Sequence, residues 1–280
     1  MQVFREIKPL RAYLDAKRAE QATIGLVPTM GALHEGHLSL VKGSVDDNDI
    51  TVTSIFVNPV QFNNPGDLAH YPRTLEEDLA MLQRYKGQVV FHPSANEVYK
   101  QEPMITLGFG PLGKILEGQF RPGHFHGVGM VVAKLFNIVK PHRAYFGQKD
   151  LQQFAVIRRL VEDFSFDVEL KCMPIIREPD GLALSSRNKR LDPDERQKAA
   201  KLYEALGIAH DLYRRRVSPD QVKKEVEGFF SKSDVALEYF EIVNASSLNP
   251  LQSTFANEPV ALCIAAYVGE VRLIDNLIIR

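Results

Sequence analysis

Tryptophan is absent from this chain, and cysteine occurs only twice, at Cys172 and Cys263. Two cysteines cannot build a disulfide framework, and both sit in apolar runs, so both are expected to be reduced core residues. An excess of charge of one sign is also missing. Lys plus Arg number 34 and Asp plus Glu 35, a formal net charge of −1. That argues against a general nucleic-acid or membrane-surface binder. No apolar run reaches membrane-spanning length. Met1-Gln2-Val3-Phe4-Arg5-Glu6 runs into mixed polar sequence without a leader pattern, so the expected address is the cytoplasm. Internal repeats and low-complexity tracts are lacking. What remains is 280 residues with 45% hydrophobic content, enough for one large domain or two modest ones.

One stretch organises the rest. The apolar run Thr23-Ile24-Gly25-Leu26-Val27 reads as a buried strand. Pro28-Thr29-Met30-Gly31-Ala32-Leu33-His34-Glu35-Gly36-His37 follows, and Leu38-Ser39-Leu40-Val41 reads as the start of a helix. A strand, a glycine-containing turn and a helix start make an anion site, because free backbone N–H groups point outward there and the helix dipole favours negative charge. The pattern is neither a Walker loop nor G-x-G-x-x-G. Two imidazoles at i and i+3 can face one way and donate to phosphate oxygens. A turn with two surface histidines is the plain alternative. A zinc pair is a third, although zinc normally takes three or four protein ligands and no nearby Cys or His supplies them.

Along the chain, residues 5–20 read as a helix. Ile50 to Val57 is a second strand, rich in β-branched residues. It ends at Asn58-Pro59-Val60-Gln61-Phe62, which puts Asn58 and Gln61 just past a strand's carboxyl end, where open α/β sheets bind ligands. The loop Asn63 to Asp67 leads to Tyr71-Pro72-Arg73-Thr74. Thr74 reads as an N-cap, with Glu76, Glu77 and Asp78 in the first turn. Val89 to Phe91 is a third strand. Met104 to Leu107 is a candidate strand in an otherwise irregular region. Arg121-Pro122-Gly123-His124-Phe125-His126-Gly127 opens a helix. Ala144 to Phe146 is a strand closed by Gly147-Gln148-Lys149-Asp150, and 167–176 is another strand region. Alternating elements over 1–176 give a doubly wound parallel sheet.

After residue 180 the pattern changes. Asp192-Pro193-Asp194-Glu195 is a capping box with Pro at N1, opening a helix that carries Ala199 through Leu212. Ser218-Pro219-Asp220-Gln221 repeats the logic. Ala236 to Val243 is a strand, and Val260 to Val268 and Val271 to Ile279 are two more, joined at Gly269-Glu270. The expected fold class is therefore α/β: a Rossmann-like doubly wound parallel sheet over 1–178, then a smaller α+β domain over 179–280.

Four groups fall at strand ends or loops: His34/His37, Asn58/Gln61, Gly147-Gln148-Lys149-Asp150 and Ser185-Ser186-Arg187. Lys149 is a point charge and Arg187 a bidentate fork, both suited to phosphate. Gln61 and Gln153 are neutral amides able to orient a hydroxyl or carboxylate. His124 and His126, near Arg121, are either a second cationic patch or a solvated loop. The set is cationic and amide-rich and holds no convincing covalent nucleophile. That suits nucleotidyl transfer, where a carboxylate attacks the α-phosphorus of ATP and the protein supplies positioning and charge.

Six of these segments, in this order, resemble the pantoate–β-alanine ligase (pantothenate synthetase) family over nearly the whole chain. They are Val27 to His37, Phe56 to Phe62, Tyr71 to Thr74, Arg121 to Phe125, Tyr145 to Asp150 with Gln152-Gln153, and Leu184 to Asn188. The resemblance implies an H-x-G-H nucleotidyltransferase fold with a C-terminal lid. It implies ATP-dependent condensation of (R)-pantoate with β-alanine through a pantoyl adenylate, giving pantothenate, AMP and pyrophosphate. By similarity Met30, Gly31, Ala32, Leu33, His34, Glu35, Gly36 and His37 line the ATP site, with His37 as the catalytic acid beside His34. Gly147, Gln148, Lys149, Asp150, Ile176, Leu184, Ser185, Ser186 and Arg187 complete it. Lys149, Ser185 and Arg187 are the phosphate binders. Gln61 and Gln153 hold pantoate, and Asn58 and His124 border the β-alanine pocket. Mg2+ is expected on the ATP phosphates, with Glu77 or Asp78 acting at most through water and no protein metal ligand assigned. A homodimer is implied, with no nucleic acid or membrane partner. The chain departs from the family at Leu184, usually Met, a volume-conserving change. Met130 stands where Thr is usual, and His126 is less usual too.

Two rivals remain at this stage. An adenylyltransferase acting on a phosphorylated acceptor would want more cations and no Gln61/Gln153 pair. A non-catalytic nucleotide-binding regulator would not need His34, His37, Lys149 and Arg187 intact.

Overall fold

The computed structural model describes residues 1–63, 65–85, 88–251 and 258–280. Asn64, in the loop ahead of Tyr71, lies outside the described residues. The chain forms two compact units. The first comprises Met1–Gly147 and Val156–Pro174, the second Gln148–Ala155 and Ile175–Arg280.

The first unit is built on six strands: β1 (Gln2–Phe4), β2 (Ile24–Thr29), β3 (Ile50–Ile55), β4 (Gln88–Phe91), β5 (Arg143–Gly147) and β6 (Glu169–Met173). Every pairing is parallel, in the order β1-β4-β3-β2-β5-β6. Ile24, Leu26 and Val27 of β2 are wholly buried, as expected of a central strand covered on both faces. Helices Ile7–Ala19, Glu35–Asp47 and His124–Val139 supply crossovers. One core joins Val27, Leu33, Leu38, Val41, Ile55, Leu82, Val90 and Tyr145. The chain steps from β2 to β3 on one side and later returns to β5 on the other. The β2/β5 junction is thus a switch in strand order, where such sheets open a crevice beyond their carboxyl ends.

The second unit carries an antiparallel sheet, β7 (Val235–Asn244), β8 (Val260–Val268) and β9 (Val271–Ile279), in that order. The β8–β9 turn places Gly269 at φ 55°, a conformation glycine adopts without steric cost. Helices Pro193–Ala199, Lys201–Arg214 and Pro219–Phe230 complete the unit. The capping box is present: Glu195 N donates to Asp192 Oδ1 at 2.8 Å and Asp192 N to Glu195 Oε2 at 3.0 Å. Leu202, Leu206, Val222, Val226, Leu262 and Ile264 share one core.

The fold class is α/β with a smaller α+β part, as the alternation of elements implied. Details differ. Strand β1 was not foreseen; three residues are too few to show a period, and pairing with β4 supplies the partner. Residues 104–107 are not a strand. Met104 is 91% exposed, and Leu107 N donates to His126 Nδ1 at 3.0 Å, a side chain in place of a neighbouring strand. The helix after Asp192 is two segments, although Ala200 between them stays right-handed at φ −60°, ψ −22°. Cys172 is exposed, not core, because β6 is the sheet's edge strand; Cys263 is buried. No described helix is long and apolar enough to cross a membrane.

Candidate active site

Strand β2 delivers the chain to Met30, and the backbone then turns through two left-handed residues, Gly31 at φ 84° and Ala32 at φ 49°. That turn sets His34 at the N-cap of helix Glu35–Asp47 in an extended conformation, with its Nδ1 accepting from Gly36 N at 3.2 Å. One turn later His37 comes back over His34. Their ring centroids are 4.1 Å apart with planes tilted 40°. The i, i+3 expectation therefore holds as geometry.

The free-amide expectation does not hold. Gly31 N donates to Thr29 Oγ1 at 3.2 Å, Ala32 N to Asp78 Oδ2 at 3.0 Å and Leu33 N to Asp78 Oδ1 at 2.8 Å. Asp78 is buried, so it is neither a solvated helix-start charge nor a residue exposed to a hydrated metal ion. Thr74 stands at the cap position without capping; its hydroxyl donates to Asp78 Oδ1 at 3.2 Å instead. A carboxylate that accepts from successive loop amides fixes the loop and removes those amides from anion binding. What this loop offers an anion is the imidazole pair and the helix start.

Past β3, the one-turn 3-10 helix Pro59–Gln61 carries the amides. Asn58 and Gln61 are both buried. Asn58 Nδ2 donates to Gln61 Oε1 at 3.1 Å and to Gly127 O at 3.0 Å, and Asn58 Oδ1 accepts from Tyr99 OH at 2.9 Å. Gln61 Nε2 lies 3.0 Å from Met30 Sδ, which joins this group to the histidine loop. His124 is buried and its Nδ1 donates to Gln61 O at 2.9 Å, so it does not sit in a solvated loop. Helix His124–Val139 comes this close because residue 127 is glycine. A Cβ there would stand 2.4 Å from Val60 O and 2.5 Å from Gln61 N. Burial pushes the Tyr99 hydroxyl's pKa up, so it stays protonated and able to donate.

In the second unit, Gln148–Asp150 forms a 3-10 turn ahead of helix Leu151–Phe164, whose first turn carries half-buried Gln153. Asn276 of β9 grips that turn. Its Nδ2 donates to Gln148 O at 2.9 Å and Lys149 O at 3.0 Å, and its Oδ1 accepts from Gln148 Nε2 at 3.1 Å. Neighbouring Asp275 takes a two-pronged bridge from Arg177, at 2.6 and 3.0 Å. Burial pushes the Asp275 carboxyl up while Arg177 pulls it back. Arg177 also stacks 4.2 Å over Tyr203. Leu184 N donates to Ile176 O at 3.0 Å, which pairs the two expected nucleotide-site residues. Ser185 caps the turn Ser186–Arg190, accepting from Arg187 N at 3.2 Å. Strand β9 lies against both the 148–150 and the 186–190 turns. Among the described residues, no group of three or more His, Cys, Asp or Glu is placed to hold a metal.

A family model described as pantoate-beta-alanine ligase matches residues 2–278. The chain belongs to the pantoate–β-alanine ligase family. Pantothenate synthetase from Thermotoga petrophila is 48% identical over the whole of both chains. The one from Bacteroides fragilis is 46% identical, covering 99% of this chain and 98% of its own. The crystal structure of pantothenate synthetase from Thermus thermophilus superposes with a TM-score of 0.92 at 41% identity, covering 99% of each chain. That of the Francisella tularensis ligase, complexed with β-γ ATP and β-alanine, gives 0.82 at 36% identity, covering 99% of this chain and 97% of that one. The family's reaction is ATP-dependent ligation of pantoate to β-alanine, so the chain is an acid–amino-acid ligase and ATP is a substrate.

Sequence reasoning missed the anchoring role of Asp78, and it did not single out Tyr99, Gly127, Arg177 or the Asp275-Asn276 pair. Thr74 and Asp78 at i, i+4 was a usable signal for the first. Asn276 and its carbonyl partners are more than a hundred residues apart, which no local pattern records.

Proposed function

We propose that the ligation runs through a pantoyl adenylate. The pantoate carboxylate attacks the α-phosphorus of MgATP, the α–β phosphoanhydride bond breaks, and pyrophosphate leaves. The β-alanine amine then attacks the acyl carbon of the mixed anhydride. The acyl–oxygen bond breaks, AMP leaves, and the amine gives up a proton to yield pantothenate.

The observation that carries this reading is the His34/His37 pair, 4.1 Å apart at a helix start beyond the central strand. Two imidazole donors there suit charge that builds on the α-phosphate, with His37 as the acid. Met30 to His37 belong to the ATP site. By the family's resemblance, Lys149, Ser185 and Arg187 bind phosphates, and Gln148, Asp150, Ile176, Leu184 and Ser186 make further nucleotide contacts, with Gly147 leading in. Gln61 and Gln153 hold pantoate; Asn58 and His124 border the β-alanine pocket. Magnesium belongs to the MgATP substrate, carried by its phosphates and water. A division near residue 178 with a C-terminal lid, a homodimer, and a cytoplasmic address are parts of the same proposal, supported by the family's resemblance.

The test is pyrophosphate release from ATP with and without pantoate, followed by AMP formation on adding β-alanine. Release that depends on pantoate, with AMP appearing only on amine addition or trapped as adenylate before it, is the expected result. ATP turnover indifferent to pantoate would overturn the reading.

A further inference from the structure

Tyr99 is a residue that neither the motifs nor the family comparison singles out. It sits after the short helix Ala95–Val98, half-buried, with the Lys134 ammonium 5.0 Å over its ring. Its hydroxyl reaches Asn58 Oδ1 at 2.9 Å. The direction of each bond in this group follows from one fixed point. Gly127 O can only accept, so the Asn58 atom 3.0 Å from it is the amide nitrogen. The other Asn58 atom is then the oxygen, and Tyr99 must be its donor. The second hydrogen of the same nitrogen goes to Gln61 Oε1 at 3.1 Å. The Gln61 oxygen is thereby taken, and its NH2 is the end turned toward Met30. Both Asn58 donors are committed to protein acceptors, which leaves Asn58 the part of a spacer.

We propose that Tyr99 is a positioning residue that, through Asn58, holds Gln61 in the orientation that Gly127 O dictates, so that Gln61 presents NH2 hydrogens to the pantoate carboxylate or hydroxyl. Without the Tyr99 hydroxyl, the buried Asn58 oxygen loses its donor and the Asn58 amide loses one of the bonds that hold its orientation. A Gln61 amide turned the other way would show an acceptor to a carboxylate, which repels it. The burial that raises the Tyr99 pKa keeps the donor in place across the working pH range. This inference rests on Gln61 as a pantoate-binding residue, and the experiment separates the two.

Tyr99→Phe, Gln61→Ala and the double variant would be compared by steady-state kinetics with pantoate and ATP varied in turn. Phenylalanine keeps the ring under Lys134 and removes only the hydroxyl. The expected result is a pantoate KM raised about tenfold in Tyr99→Phe, an unchanged ATP KM and a melting temperature lowered by no more than a few degrees, since the chain still folds with one buried acceptor unpaired. Gln61→Ala should raise the pantoate KM further, and adding Tyr99→Phe to it should change nothing more, because the relay then has no end. If Gln61→Ala raises the pantoate KM but Tyr99→Phe leaves it unchanged, or multiplies it equally in both backgrounds, the relay is overturned and the Gln61 reading stands. If Gln61→Ala leaves the pantoate KM unchanged, the Gln61 reading falls and the relay with it.

Discussion

Asp78 and Leu33 are joined by a 2.8 Å hydrogen bond from the Leu33 amide to Asp78 Oδ1, and the carboxylate's other oxygen takes the Ala32 amide. Three donors converge on this buried acid once Thr74 Oγ1 is included. The loop that aims His34 and His37 therefore hangs from a side chain 45 residues away.

Asp78→Asn should loosen that loop. One oxygen becomes an NH2 facing a backbone N–H, so a donor meets a donor in a buried place. The expected loss is about 1–3 kcal/mol of folding stability, read by chemical denaturation, with a raised ATP KM. Wild-type stability and ATP KM together would show that the carboxylate is dispensable.

Gly127→Ala should act on the amides without touching their chemistry. The new methyl meets Val60 O and the Gln61 backbone, so the turn Pro59–Gln61 must shift. A cost of about 1–3 kcal/mol and a raised pantoate KM are expected, with the ATP KM moved least. Thermal melting and substrate-varied kinetics check both.

Lys149→Ala should separate chemistry from folding. The turn is held through its carbonyls by Asn276, which the substitution leaves in place. Adenylate formation should fall on the order of 10²–10³-fold with the melting temperature unchanged. Near-wild-type pyrophosphate release would remove Lys149 from the mechanism.

The pH dependence of stability has a defined sign at Asp180. Arg196 bridges it at 2.6 and 3.1 Å and holds its carboxyl below the usual value. A depressed folded-state pKa gives stability that is full above the unfolded value, about 3.9, and is lost as pH falls through the lower folded value. The pair is half-exposed, so it contributes less than about 1 kcal/mol. Arg196→Gln should therefore be slightly less stable than wild type from pH 5 to 8, and the gap should close below about pH 4. Urea titrations across that range measure it.

The sequence carried the architecture because its signals are local and periodic. Ile50 to Val57 is β-branched, Asp192-Pro193-Asp194-Glu195 is a complete capping box, and Gly269 marks a hairpin; each appears at or within a few residues of its expected place. The site was legible as a set of residue types at strand ends. It was not legible as a network. Only the spacing of Asp78 from Thr74 hints at which acid of Glu76-Glu77-Asp78 turns inward, and nothing local says that it reaches the loop 45 residues away. The Asn58 contacts reach Tyr99 and Gly127 across 41 and 69 residues. The strand expected at Met104 to Leu107 failed because apolar content alone does not supply a pairing partner.

Ala32, finally, holds a left-handed backbone at φ 49° with no glycine to excuse it. For an ordinary side chain that conformation costs about 1–2 kcal/mol, and branching at Cβ makes it worse. Among randomised codons at this position, growth that depends on the enzyme should enrich Ala, Gly and Asn and eliminate Val, Ile and Thr. The turn that aims the histidines thus imposes a filter on inheritance at a residue whose side chain has no chemistry of its own.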